Sequence, residues 1–247
     1  MSPEIIAAGV AIALLAALCQ TVSGFGFALV MTPLLVLVWD VKSTVATSVL
    51  LGTLINIPLL HELPRARSLG RIPGMLLGFV LGLGPGILLL ERLDPNALRV
   101  LVAGVVIVAS ILMYSAPTLA GSDDRITYRV AAGVASGVIG ASTGLSGPPV
   151  VLYLVGREPD AASFRTTLLV YFLVASSLRL ATFVVLGQIT ADVIAMSVAA
   201  LPAITLGLAA GVWLRRRLDL RRFRGVVLAI LIATGAAAFA GAAARLT

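Results

Sequence analysis

The 247-residue chain is poor in what a soluble domain or a metal site uses. Charged residues make up 12% of it, where soluble domains carry about 25%. It has one histidine, His61, and one cysteine, Cys19. A lone cysteine excludes an intrachain disulfide framework and a thiolate metal site, and a lone histidine excludes a His cluster. No metal and no cofactor is expected. No Asp or Glu lies deep in an apolar run, so proton coupling through an intramembrane carboxylate has no carrier. The same scarcity argues against a cation or metal carrier. Lysine is nearly absent: Lys42 is the single one, and every other base is Arg.

Apolar residues are abundant, at 60% of the chain. A domain of this size cannot hide so much apolar surface in a water-facing sphere, so its solvent must be lipid. The expected fold is all-α and polytopic, because a spanning segment must satisfy its backbone internally. The formal charge of +7 would suit nucleic acid. The Arg residues, however, cluster in short loops between apolar runs, which is a topology signal, so no nucleic-acid partner is expected. Residues 1–17 lack a basic start, and Glu4 is their only charge. They read as mature structure and not as a signal peptide.

Eight apolar blocks run over 5–39, 43–60, 72–90, 97–116, 128–155, 164–186, 191–214 and 223–244. The first exceeds the roughly 20 residues one span needs and is interrupted at Ser23-Gly24-Phe25-Gly26. Two loops are basic: 61–71, with Arg65, Arg67 and Arg71, and 214–224, with Arg215, Arg216, Arg217, Arg221, Arg222 and Arg224. Both should face the cytoplasm of a cell (inner) membrane. The loop at 187–192 has no base and should face outward. If block 128–155 crossed once, the two basic loops would fall on opposite sides. Parity is restored if it enters and turns back, with its tip at "GASTGLSGPP" (140–149). The first block then enters from outside, with its tip at 23–26.

The halves 1–120 and 121–247 resemble each other. "DVKSTVAT" (40–47) falls on "DAASFRTT" (160–167), and Ser23-Gly24 is matched to Ser146-Gly147. Each half reads as one broken or re-entrant hairpin plus three spans. Three is odd, so the second half is inverted, as in transporters whose discontinuous helices meet near the midplane.

Irregular backbone survives at membrane depth only when it lines protein or a wet cavity. Paired breaks therefore point to a central site. Half-helices expected to start at Phe27 and Pro149 would aim free N–H groups and positive dipole ends at it, which suits a small anion. The candidate binding residues at the first tip are Gln20, Thr21, Ser23, Gly24, Phe25 and Gly26. Those at the second are Ser142, Thr143, Gly144, Ser146 and Gly147. The hydroxyls either contact the ligand or cap their own helix ends. Asn56 is a polar lining candidate in a span. Arg179, the one charge well inside a span, is read as the anion's counter-charge or as snorkelling toward the outer face. The inside-negative potential drives anions outward by about 2.3 kcal/mol per charge per 100 mV, so an anion exporter needs no coupling carboxylate.

"SGFGFALVMTPLL" (23–35), "GVIGASTGLSGPPVVLYL" (137–154) and the repetition between halves give the chain its likeness to a known family. It resembles the sulfite exporter TauE/SafE family of membrane permeases over nearly its whole length. That resemblance implies export of small sulfur oxyanions or organosulfonates. Three rivals stand beside it. A non-transporting membrane assembly factor explains the spans but not the paired breaks. Gly144-Leu145-Ser146-Gly147 fits the nucleophile pattern of rhomboid-like serine proteases, but that chemistry needs a base, and His61 sits at an interfacial loop. A cation carrier lacks ligands. The Arg-rich loop at 214–224 also suits anionic membrane lipid.

Overall fold

The computed structural model describes residues 1–59, 69–119, 124–155, 157–158 and 160–215. Among them are nine helices and no strand: α1 (Pro3–Ser23), α2 (Phe27–Leu35), α3 (Val41–Leu59), α4 (Ile72–Arg92), α5 (Pro95–Leu119), α6 (Ile126–Thr143), α7 (Gly147–Leu154), α8 (Ala161–Val185) and α9 (Ala191–Arg215). Six are long and apolar enough to cross a membrane: Pro3–Val22, Val41–Leu59, Ile72–Arg92, Pro95–Leu112, Ala162–Val185 and Ala191–Leu214. The chain is an integral, multi-pass membrane protein. His61, Arg65, Arg67, the bases from Arg216 to Arg224 and the block 223–244 lie outside the described residues.

Both expected interruptions are real. α1 ends at Gly24 and α6 at Gly144, each with φ +82°. That left-handed conformation is costly for any residue with a Cβ. Each glycine N–H closes the last helical turn, onto the Gln20 carbonyl at 2.8 Å and the Gly140 carbonyl at 2.9 Å. The short helices then pack back on the long ones, α2 on α1 and α7 on α6. α2 has 9 residues and α7 has 8, about 12–14 Å at helical rise and too short to span. α1, at 21 residues, is long enough, so the arms of the first hairpin are unequal.

Two expectations are corrected here. α7 begins at Gly147, two residues before Pro149. The glycine that shares the backbone conformation of Gly24 is Gly144, after Thr143, and not Gly147, after Ser146: Gly24 and Gly144 make the same left-handed stop. In that register Phe27 matches Gly147, and Asp40 matches Asp160. The two aspartates do the same work: Asp40 Oδ2 accepts from the Ser43 N–H at 2.9 Å, and Asp160 Oδ1 from the Ser163 N–H at 2.7 Å, capping α3 and α8.

Lipid supplies no hydrophobic drive between helices, so close backbone contact must hold them. α4 and α6 meet along glycines. A Cβ on Gly78 would strike the Val130 carbonyl, one on Gly82 the Val134 carbonyl, and one on Gly137 the Phe79 carbonyl. α1 meets α9 the same way, with Gly207 against Ala17 and Gly211 against Thr21. α3 packs on α8, and they touch α9 and α4 respectively.

A charged knot binds the base of the second hairpin. Arg71, before α4, pairs with Asp124 at 2.9 Å and Glu158 at 3.1 Å. Arg129 pairs with Asp124 at 3.0 Å, and the Tyr153 hydroxyl of α7 donates to Asp124. Glu158 also accepts from the Thr167 hydroxyl of α8 at 3.2 Å. Burial pushes the Asp124 carboxyl up, but the hydrogen bonds from Tyr153, Arg129 and Arg71 outweigh it and hold the group down to about 2.

Candidate functional site

Between the two breaks lies a cavity of about 50 Å³. Its walls come from both of them: Gln20, Gly26 and the first turn of α2 on one side, and Gly144, Ser146 and Gly147 on the other. α3 adds Ser48, Gly52 and Asn56, and α8 adds Phe172, Ser176 and Arg179.

The first break is tied by amides. The Phe27 N–H, which has no helical acceptor, donates to Gln20 Oε1 at 3.0 Å. Gln20 Nε2 donates to Asn56 Oδ1 at 2.8 Å. One side chain thus joins the end of α1, the start of α2 and the wall of α3. Both residues are only 3% exposed.

The second break is tied by a cation. Arg179 Nη1 donates to the Gly140 carbonyl at 2.7 Å and, at 3.5 Å, to that of Gly144. These lie at the C-terminal end of α6, where the helix dipole is negative. Arg179 is 3% exposed, and its Nε is buried with no partner among the described residues. A snorkelling arginine would reach water, so that alternative is not what the fold adopts. Gly140 makes the room: a Cβ there would come within 2.8 Å of Arg179 Nη1. α8 reaches the first break as well, where Arg165 Nη2 donates to the Thr21 carbonyl at 3.2 Å.

Of the sequence candidates, Gln20, Gly26, Asn56, Gly144, Ser146, Gly147 and Arg179 come together at the cavity. Thr21, Gly24, Phe25, Ser142 and Thr143 are not among its lining residues. The Thr21 hydroxyl donates to the Ala17 carbonyl at 2.8 Å, that of Ser142 to the Val138 carbonyl at 2.8 Å, and that of Thr143 to the Ile139 carbonyl at 2.7 Å. Each bonds one turn back along its own helix, which is the capping alternative. Gly24 packs under the stem of Arg165. The Ser23 hydroxyl lies outside the described residues.

The family model of the sulfite exporter TauE/SafE matches residues 9–238. The chain belongs to that family. No curated protein and no solved structure matches it. TauE/SafE proteins are membrane permeases for sulfur anions, and this chain is a multi-pass membrane protein of that kind.

Sequence reasoning missed Ser48, Gly52, Phe172 and Ser176. The signal for the first two is their spacing: Ser48, Gly52 and Asn56 recur every fourth residue and so share one helix face. Ser176 stands to Asp160 as Asn56 stands to Asp40, so the register of the caps would have found it. The Ser48 hydroxyl accepts from that of Thr32 at 3.0 Å, which fixes α2 against α3.

Proposed function

We propose that this TauE/SafE chain exports a small sulfur-containing anion, such as sulfite or an organosulfonate, and binds it in the cavity between the two breaks. The carrying observation is the convergence of both breaks and a buried arginine on one small cavity. A guanidinium at such a depth is costly, and a bound anion offsets that cost. The first turn of α2 adds N–H groups and the positive end of its dipole. Substrate contact is assigned to Gln20, Gly26, Asn56, Ser146, Gly147 and Arg179. Thr21, Gly24, Phe25, Ser142, Thr143 and Gly144 shape the turns that hold them.

An inverted repeat is part of the proposal. It is supported by the matching left-handed stops, by the matching aspartate caps, and by the packing. α1 rests on α9 and α6 on α4, the exchange of partners that a two-fold relation in the membrane plane would make. The proposed sidedness puts loops 61–71 and 214–224 in the cytoplasm of the inner membrane.

Hydrolysis at Ser146 is not part of the proposal. Its cavity is lined by no His, Lys or carboxylate among the described residues, and the nucleophile would need a base. The test is flux in proteoliposomes with a panel of sulfur anions and an imposed potential. Potential-driven movement of at least one of them is expected. No movement of any would end the transport reading.

A further inference from the structure

The polarity of the cavity follows from one backbone amide. The Phe27 N–H can only donate, so it fixes Gln20 with its oxygen toward α2. The Gln20 nitrogen must then face Asn56, and Asn56 must answer with its oxygen. That leaves Asn56 Nδ2 at the cavity, with no hydrogen bond among the described residues. On the other wall Arg179 spends Nη1 on the Gly140 and Gly144 carbonyls, and Nη2 makes no hydrogen bond among the described residues. Ala28 and Leu29, both lining the cavity, are in the first turn of α2, where N–H groups have no helical acceptor. Both side-chain carbonyls in the wall are thus used inside the protein, and the amide and guanidinium groups left over donate. The Ser176 hydroxyl donates to the Leu173 carbonyl at 3.3 Å and keeps only lone pairs for the cavity, whereas Ser48, which accepts from Thr32, and Ser146 can turn their protons to it.

We infer that the cavity is a donor-rich filter, set by the Gln20–Asn56 pair, that selects oxyanions carrying no O–H. It takes fully deprotonated sulfite over hydrogensulfite, and it takes sulfonates, which hold no proton near neutral pH. An O–H group placed among these donors would lose its own bond and leave one of theirs unmade. The inference rests on the reading of this cavity as the transported anion's site, and Asn56 is its specificity-determining residue.

The test uses proteoliposomes of the full chain, with sulfite and methanesulfonate flux measured from mildly acidic to mildly alkaline pH and protein-free vesicles subtracted. Methanesulfonate flux should stay flat. Sulfite flux at low concentration should climb with pH as the last proton leaves, by about tenfold per unit below that pKa. Asn56→Asp keeps the oxygen that Gln20 needs and replaces the donor with a carboxylate oxygen of equal size. Its methanesulfonate flux should fall roughly tenfold to a hundredfold, with elution and melting unchanged. Part of that flux should return in acid, as the introduced carboxyl takes up a proton. Sulfite flux that tracks hydrogensulfite, or full methanesulfonate flux in a folded Asn56→Asp, would overturn the filter and leave the transport reading standing. If Asn56→Asp does not fold, the wild-type comparison of the two anions decides alone. No flux of either anion through the wild type would overturn both readings.

Discussion

Replacing Arg179 with methionine separates what the residue does for the fold from what it does for the anion. In the fold it donates to the Gly140 carbonyl at 2.7 Å. That carbonyl also accepts from the Gly144 N–H at 2.9 Å, so it stays paired when the guanidinium is gone. The lost bond has a charged donor and contributes about 1.5–3 kcal/mol. Against that, removing a charge from mid-span relieves about 2.5–3.5 kcal/mol on insertion scales. The two nearly cancel. Methionine fills the volume with a flexible apolar chain, so Arg179→Met should fold with a stability within about 2 kcal/mol of the wild type. The anion gains nothing in return. It loses a charge-assisted partner of about 1.5–3 kcal/mol, which is a rise of about tenfold to 150-fold in half-saturating concentration. Arg179→Lys should fall between, because one ammonium cannot hold Gly140 and face the cavity together. The assay is proteoliposome flux at a fixed potential across a range of anion concentration, beside thermal melting in detergent. A folded Arg179→Met with the half-saturation of the wild type would refute the assignment of this arginine.

The Ser146 hydroxyl has no hydrogen bond among the described residues, so Ser146→Ala should lower flux severalfold while leaving the melting temperature unchanged. Gly137→Ala should destabilise strongly or fail to fold, since its Cβ would lie 3.0 Å from Gly82 Cα and against the Phe79 carbonyl. Gly84→Ala, in the same helix pair but with nothing within 4 Å, should be neutral or stabilising by up to about 1 kcal/mol; equal melting of the two variants would contradict the close packing of α4 on α6. Asp124 titrates lower in the fold than its ordinary 3.8, at about 2, so the knot's contribution is whole above about pH 4 and fades as pH falls toward about 2. Asp124→Asn should remove that acid-dependent part of a melting curve. Cys19 is buried and gives little background, so engineered cysteines can report sidedness: Ala162→Cys should label from the cytoplasm and Gln188→Cys from outside, and labelling of both from one side would break the crossing count.

Much of the architecture is legible because lipid narrows the choices. Apolar length gives the spans, and Gly, Ser and Pro inside an apolar run have few meanings other than a break. The aspartate caps are legible too, since Asp-x-x-Ser at a helix start is a local signal needing no tertiary information. The register of the second break is less so. Gly144 and Gly147 both follow a hydroxyl residue or precede a helix, and matching Ser-Gly to Ser-Gly by identity lands three residues late. The 120-residue offset of the aspartate caps already favours Gly144, and the left-handed stop there agrees with it. The hydroxyls are illegible for a different reason. Thr21, Ser142 and Thr143 sit in last turns, where a ligand and a carbonyl one turn back are both within reach, and sequence does not rank the two. The contact of α4 with α6 is readable in the four-residue glycine period of Gly74, Gly78, Gly82 and Gly86. Its partner helix is not, because small residues mark a face without saying what lies on it.

The two breaks share a left-handed glycine stop and differ in chemistry, and under the proposed anion reading that difference would let one cavity be both tight and selective. In the register of the caps, Gly140 stands where Gln20 stands in the first half. Gln20 fills its place with an amide that caps α2 and orients Asn56. Gly140 leaves its place empty, and Arg179 enters there to reach a carbonyl instead. A symmetric pair of glutamines would give a neutral site with no charge to attract an anion. A symmetric pair of arginines would put two like charges around about 50 Å³, where their repulsion is weakly screened. One amide wall and one guanidinium wall avoid both faults. They supply a single positive charge for attraction and a fixed set of donors for discrimination. In the proposed repeat the shared backbone supplies the geometry of convergence, and the departures at Gln20/Gly140, Asn56/Ser176 and Leu59/Arg179 supply the polarity.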